Sequence, residues 1–226
     1  MNAMDPTEPD APAAQWRRLL LAAMLAEAAV AGWTRPAMQR AGSAAGLSPG
    51  QVELAAPRGP IDLLNAFADW ADARMVEHIS STDLTGMKVR DRVRFAVMAR
   101  LTAMNPHKAA ARRALAALAL PHHAPEATRL TWRTADRIWR ALADPSTDLN
   151  YYSKRAMLAA VMASTELVWA GDEEDDTGAT RRFLDRRIAN IMDFEKMKAR
   201  LKPLSAIATG AAAFAGQMRY PGRSGT

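Results

Sequence analysis

GWTRPAMQRAGSAAGLSPGQVELAAPRGPIDLLNAF, residues 32–67, is the stretch on which the fold turns. Thr34 is placed to cap a helix that carries Pro36 in its first turn and runs to about Ala45, before Gly46. Ser48 and Pro49 open a short helix that ends at Pro57. The breaker Pro57-Arg58-Gly59-Pro60 then releases a long helix whose one face is Ile61, Leu64, Phe67, Ala68 and Ala71, reaching about Ile79. Three helices joined by tight turns predict a compact helix-turn-helix unit.

Upstream, Leu19, Leu20, Ala23 and Met24 recur at helical spacing from about Gln15 to Val30 and stop at Gly32. The preceding MNAMDPTEPDAPAA reads as a disordered tail over 1–14, without the basic start of a signal peptide or the arginine-rich character of a presequence. Downstream, Val89, Val93, Val97, Leu101 and Met104 mark one helix and an alanine-rich run from about His107 to Leu120 another. Between Ala124 and Ala143 the apolar arc is wide. Ala127, Thr131, Thr134 and Ile138 form one stripe and Trp132, Ala135, Trp139 and Leu142 a second, so that one can face the core and the other a partner. The next helix, about Leu149 to Ala170, is apolar on all sides over AMLAAVMA and reads as central. The acidic GDEEDDTG leads into a basic helix from about Thr180 to Leu201. Leu204, Ile207, Ala211, Phe214 and Met218 then hint at a short amphipathic tail.

Composition agrees with an all-α chain: 49% of the 226 residues are hydrophobic, only 6% are aromatic, and alanine, leucine and methionine dominate. There is no cysteine, which excludes disulfides and thiolate chemistry. The longest apolar run, Ala156 to Ala163, is far short of the roughly 20 residues of a spanning helix. A net charge of +6 favours an anionic partner, lipid or nucleic acid. The expected organisation is a 15–80 helix-turn-helix part, an 88–201 helical part for ligand and dimerisation, and a 202–226 tail in one continuous fold.

Catalytic patterns are missing. Neither Glu-x-x-His nor His-Glu-x-x-His occurs, and Glu77-His78 and His122-His123 are adjacent pairs that read as surface or packing residues. Asp172 to Asp176 lacks the ligand spacing of a calcium loop and reads as a solvated cap for the helix after it. The sequence therefore predicts neither a metal site nor an enzyme.

Residues 32–67 resemble the helix-turn-helix of TetR regulators, carried by Gly32-Trp33-Thr34, Gly46-Leu47-Ser48 and Asp62-Leu63-Leu64. The helix that would enter the major groove reads SPGQVELAA, with Gln51 and Glu53 where phosphates call for cations; only Arg35, Arg40 and Arg58 lie near. Nucleic-acid binding is thus not expected, and a ligand-responsive DNA regulator stands as the alternative function.

A second resemblance covers about half the chain. RVRFAVMARL (92–101), Ala117-Leu118-Ala119-Leu120-Pro121, TWRTADRIW (131–139), DPSTDLNYYSKRAMLAAVMASTEL (144–167) and RRFLDRRIANIM (181–192) resemble, in order, the lipid-binding accessory proteins of ubiquinone biosynthesis known as the ninth coenzyme Q protein. The resemblance implies a TetR-like fold without DNA function, homodimerisation, peripheral membrane contact, a bound isoprenoid lipid or quinone precursor, and docking onto the demethoxyubiquinone hydroxylase. It implies cytoplasmic location in a bacterium, or the matrix side of the inner membrane in a mitochondrion. The lipid is expected against Met98, Met104, Leu115, Leu118, Met157, Leu158, Val161 and Met162, where flexible and small side chains can line an adaptable space. The hydroxylase is expected on Ile138, Trp139, Asp148, Tyr151, Tyr152 and Arg155, an aromatic and arginine set of the kind that dominates interfaces.

Overall fold

The computed structural model describes residues 12–144 and 148–191 and divides the chain into two compact units, 1–184 and 185–226; the architecture below is that of the first. Every regular element among the described residues is helical. Three helices form the N-terminal unit: α1 (Pro12–Ala31), α2 (Arg35–Ala44) and α3 (Pro49–Ala55). The long α4 (Pro60–Ser80) leads from it to α5 (Val89–Met104), α6 (Lys108–Leu118), α7 (Ala124–Ala141) and α8 (Asp148–Gly171), and α9 begins at residue 178 and is described to 191. Short 3-10 turns, Asn105–His107 and Pro121–His123, join α5 to α6 and α6 to α7.

Helix starts follow the local chemistry. Thr34 accepts the Ala37 amide and Ser48 forms a capping box with Gln51, each ahead of a proline in the first turn. Gly59 takes φ +79° at the start of α4, a conformation that a side chain resists. Helix α1 starts at Pro12, so the last part of the expected tail is helical; residues 1–11 lie outside the described residues.

The core is continuous. In the N-terminal unit, Leu20, Met24, Ala28, Ala37, Ala41 and Val52 close around the α1, α2 and α3 contact. Trp33 inserts toward α6, donating Nε1–H to the Ala110 carbonyl at 3.0 Å. Further along, Leu63, Phe67, Ala71 and Met75 of α4 are buried together with Val97 and Leu101 of α5 and Ala135 and Ile138 of α7, the helices α4 packs against, while Leu158, Met162 and Trp169 are buried on α8, which packs on α7.

Two expectations change. In α7 both stripes turn inward: Thr134, Ala135, Ile138 and Trp139 are all buried, and of the second stripe Trp132 stands half-buried at the edge. Helix α8 is not apolar on all sides in its packing, because Tyr152, Ala156, Ala160, Ala163 and Leu167 are exposed along one face. Alanine counts as apolar in sequence yet loses little by facing water, so AMLAAVMA concealed a one-sided helix. The acidic loop caps α9 as its sequence suggested: Asp172 Oδ2 accepts the Thr180 amide at 2.7 Å and its hydroxyl at 2.6 Å.

Candidate functional site

The α7–α8 hairpin brings the expected partner residues together, on two levels. Below, Ile138 is fully buried, Trp139 is 8% exposed and Arg155 2%. Trp139 donates Nε1–H to the Lys154 carbonyl at 3.2 Å and lies under the Lys154 ammonium, which itself pairs with Asp144 at 2.7 Å. These contacts pin the end of α7 to the first turns of α8. Above, Tyr152 is 61% exposed and its ring lies 6.3 Å from that of Trp132, nearly parallel. Tyr151 joins the levels, meeting Tyr152 edge to face at 5.2 Å while its hydroxyl donates to Asp136 Oδ1 at 2.9 Å.

Burial decides which residues a partner can touch. Trp132 and Tyr152 form the accessible aromatic surface, with Tyr151 between them; Ile138, Trp139 and Arg155 hold it from beneath. Asp148 opens α8 at its N-terminal end. Asp136 anchors the hairpin by accepting from Arg155 Nε at 2.6 Å and pairing with Arg140 at 2.7 Å. Burial works against its charge, but the bonds from Arg155 and Tyr151 prevail and hold the carboxyl below its ordinary pKa.

Among the described residues, the expected lipid residues stand in several different surroundings. Met104, Leu115 and Leu118 line an apolar space of about 50 Å³ between α4, α5, α6, α7 and α8, with Arg100 and Glu166 at its polar corner. That is well below the roughly 300 Å³ from which small-molecule sites begin. Met98 lines a separate groove beside α4. Leu158, Val161 and Met162 pack in the core at 3%, 5% and 1% exposure, and Met157 is half-buried.

Sequence reasoning missed a buried charge network beside that space. Arg100 Nε donates to Asp72 Oδ1 at 2.7 Å and its Nη1 to Glu166, while Asp72 also accepts from Thr134 at 3.0 Å and Arg137 at 2.9 Å. Burial disfavours the Arg100 charge, yet Glu166 and Asp72 outweigh it and raise its pKa. Glu166 is raised chiefly by burial, with Asp72 adding to the effect and Arg100 opposing it. The available signal was Asp72 itself, a carboxylate on the apolar face of α4 between Ala68, Ala71 and Met75.

Among the described residues no group of three or more histidines, cysteines or acids could hold a metal ion, and no helix is long and apolar enough to cross a membrane. His78 stacks on Phe95 at 5.0 Å, and Glu77 pairs with Arg74 at 2.7 Å. The basic residues Arg181, Arg182, Arg186 and Arg187 are exposed on α9, with Arg182 paired to Glu174. The remainder of that expected helix and the Leu204 to Met218 pattern lie outside the described residues.

Helix α3 presents Glu53 and Leu54 outward. Of the nearby cations, Arg40 pairs with Glu27 at 2.8 Å and Arg58 with Asp62 at 2.7 Å. Helix α3 itself carries no lysine or arginine, the residues that usually meet phosphates.

The family model described as COQ9 matches residues 124–195, which include the α7–α8 hairpin. The chain is similar to the human "Ubiquinone biosynthesis protein COQ9, mitochondrial", 31% identical over 186 residues covering 79% of this chain and 58% of that protein. Its similarity to the protein of the same description from Drosophila melanogaster is 31% over 185 residues, covering 80% and 56%. The chain thus spans somewhat more than half the length of these curated relatives. A solved TetR transcriptional regulator from Nitrosomonas europaea superposes with a TM-score of 0.63 at 21% identity, covering 77% of this chain and 97% of that one, which establishes a TetR-like fold.

Proposed function

The chain is of the COQ9 type on a TetR-like fold, and from that premise we propose that it serves ubiquinone biosynthesis as a non-catalytic accessory protein. It binds an isoprenoid lipid or quinone precursor and presents the head to the demethoxyubiquinone hydroxylase, which docks on the Trp132 and Tyr152 surface. The observation that carries this reading is the coincidence of the matched segment with a hairpin that displays an aromatic pair on a buried, ion-paired base. Exposed aromatics held rigidly lose little conformational freedom on docking, which is how a small surface becomes an anchor.

The apolar space at Met104, Leu115 and Leu118 is the entry point for the lipid tail, and it has to widen to take one. Methionine at its wall favours such repacking. The exposed small-residue face of α8, Ala156, Ala160, Ala163 and Leu167, suits close approach of a second copy, in keeping with a homodimer. The curated relatives are named as mitochondrial proteins, which favours the matrix side of the inner membrane for this chain, with peripheral membrane contact.

Mass spectrometry of organic extracts from the purified chain, with an unrelated helical protein from the same cells as control, tests the lipid part directly. Enriched isoprenoid quinones or polyprenyl lipids are expected. Extracts at control level would overturn lipid carriage and leave a lipid-free adaptor for the hydroxylase.

A further inference from the structure

Helices α1, α4 and α7 diverge around a cleft of about 760 Å³, well within the roughly 300–1,000 Å³ of small-molecule sites. Leu21, Leu25 and Trp70 supply an apolar wall, and Trp70 is steadied by Phe67 at 5.8 Å and by the His107 ring at 5.4 Å. The rest is cationic: five arginines line the cleft against two aspartates, Asp62 and Asp69.

The arginines differ in how well they are engaged. Arg58 meets Asp62 at three points, its Nε and Nη2 each 2.7 Å from Oδ1 and its backbone amide donating to Oδ2 at 2.7 Å, and Arg129 is held by Glu126 and Asn65. Arg17 gives its Nε–H to the Ala55 carbonyl at 2.6 Å. Arg133 is the exception. Its Nη2 lies 2.9 Å from Asp69 Oδ1, but neither Nε nor Nη2 makes a hydrogen bond, and both atoms are buried. Asp69 is shared with Arg137, which approaches the same oxygen at 2.6 Å. The Nε and Nη2 edge of a guanidinium is a fork that fits two oxygens of one anion. Burial depresses the pKa of Arg133; Asp69 opposes this, while Arg137 and Arg129 add to it. An anion would relieve the desolvation and the crowding of like charges at once.

We propose that the α1–α4–α7 cleft binds a small anionic amphiphile, a phosphate ester whose phosphate is held by Arg133 and whose apolar body lies against Leu21, Leu25 and Trp70. With 26% of its side chain exposed, Arg133 can turn its fork into the cleft without leaving α7. The phosphate can come from a lipid headgroup or from a soluble phosphate ester, since both offer the same oxygens. The site is separate from the apolar space at Met104 and from the Tyr152 surface, so it stands or falls independently of the role in ubiquinone synthesis.

Calorimetric titration of the full chain at low salt tests it with four probes: inorganic phosphate, phenyl phosphate, phenol, and dihexanoyl phosphatidic acid below its micelle concentration. One saturable site is expected for the two esters, tighter than for inorganic phosphate, with phenol silent. Tighter binding of the phosphatidic acid assigns a lipid headgroup, and tighter binding of phenyl phosphate assigns a soluble ester. Arg133→Gln should weaken either ester roughly tenfold or more, the scale of a charge-assisted bond, while Arg74→Gln, on an exposed stretch of α4, should leave it unchanged. Should Arg133→Gln melt early by circular dichroism, Arg129→Gln, half exposed at the cleft, replaces it and should also weaken binding. No saturable site, phenol binding as tightly as phenyl phosphate, or undiminished affinity in the folded arginine variants would overturn the proposal.

Discussion

The Arg155 guanidinium lies over the Tyr151 ring, 3.2 Å from its centroid, and both side chains bond the same oxygen of Asp136, Arg155 through Nε at 2.6 Å and Tyr151 through its hydroxyl at 2.9 Å. One carboxylate on α7 thereby fixes the direction of two side chains on α8 and, through the contact of Tyr151 with Tyr152, the exposed ring beside it. The display surface of the hairpin depends on a group that no partner needs to touch.

Asp136→Asn should therefore destabilise the chain at neutral pH, and the difference should fade in acid. The carboxyl is held below its ordinary value in the folded chain, so its contribution is complete above the unfolded pKa of about 3.9 and is lost as pH falls through the lower folded value. Melting curves of both proteins from pH 7 to pH 3 provide the measurement. A gap that stayed constant over that window would remove the charge of Asp136 from the explanation.

Glu166 predicts the opposite slope. Burial raises its pKa above the unfolded value of about 4.3, so stability present below that value declines as pH rises through the folded pKa. The wild type should lose stability relative to Glu166→Gln between acid and neutral pH, whatever the absolute difference between them. A wild type that gained on the variant over the same range would show that Arg100 holds the carboxylate ionised at no net cost.

Truncating Arg100 to leucine should cost about 3–5 kcal/mol by chemical denaturation, because Asp72 and Glu166 lose their shared buried counter-ion. Replacing the ionic cluster as a set with apolar residues should cost much less than the sum of single changes. Additive losses would mean that each member is stabilised by separate neighbours.

Trp139→Ala and Tyr152→Ala should separate folding from docking. The first removes a ring that is 8% exposed and should cost about 3–5 kcal/mol. The second removes a ring that is 61% exposed and should change stability by no more than about 0.5 kcal/mol, while weakening the proposed association with the hydroxylase in a pull-down. Full association by a folded Tyr152→Ala protein would move the docking surface elsewhere.

Gly42→Ala should unsettle the N-terminal unit by about 1–3 kcal/mol, since a Cβ there would come within 2.4 Å of Val52 Cγ2. Val52 is buried and β-branched, with little freedom to yield. A thermal melt unchanged from wild type would show that α2 and α3 can separate at small cost.

Much of the fold was legible because its punctuation is chemical and local. Thr34, Ser48, the Pro57 to Pro60 breaker and Asn105-Pro106 mark boundaries through hydrogen bonds and ring geometry that act within a few residues. The hairpin was legible as a segment, since Trp139, Tyr151, Tyr152 and Arg155 do converge on it. Their division into buried and exposed was not, because a wide apolar arc on α7 and an alanine-rich α8 leave the packing direction undetermined.

By itself, then, the sequence determined an all-helical chain, the positions of its turns, an α3 with Glu53 and no cation, and the family to which residues 124–195 are matched. Only the tertiary structure decided that Arg100 meets both Asp72 and Glu166, that Arg133 Nε and Nη2 are buried without a hydrogen bond, and that the Met104 space is small. Caps, breakers and helical periods are short-range and survive in one dimension. Charge pairing and cavity volume depend on side chains dozens of residues apart, and the crossing of helices sets their distances.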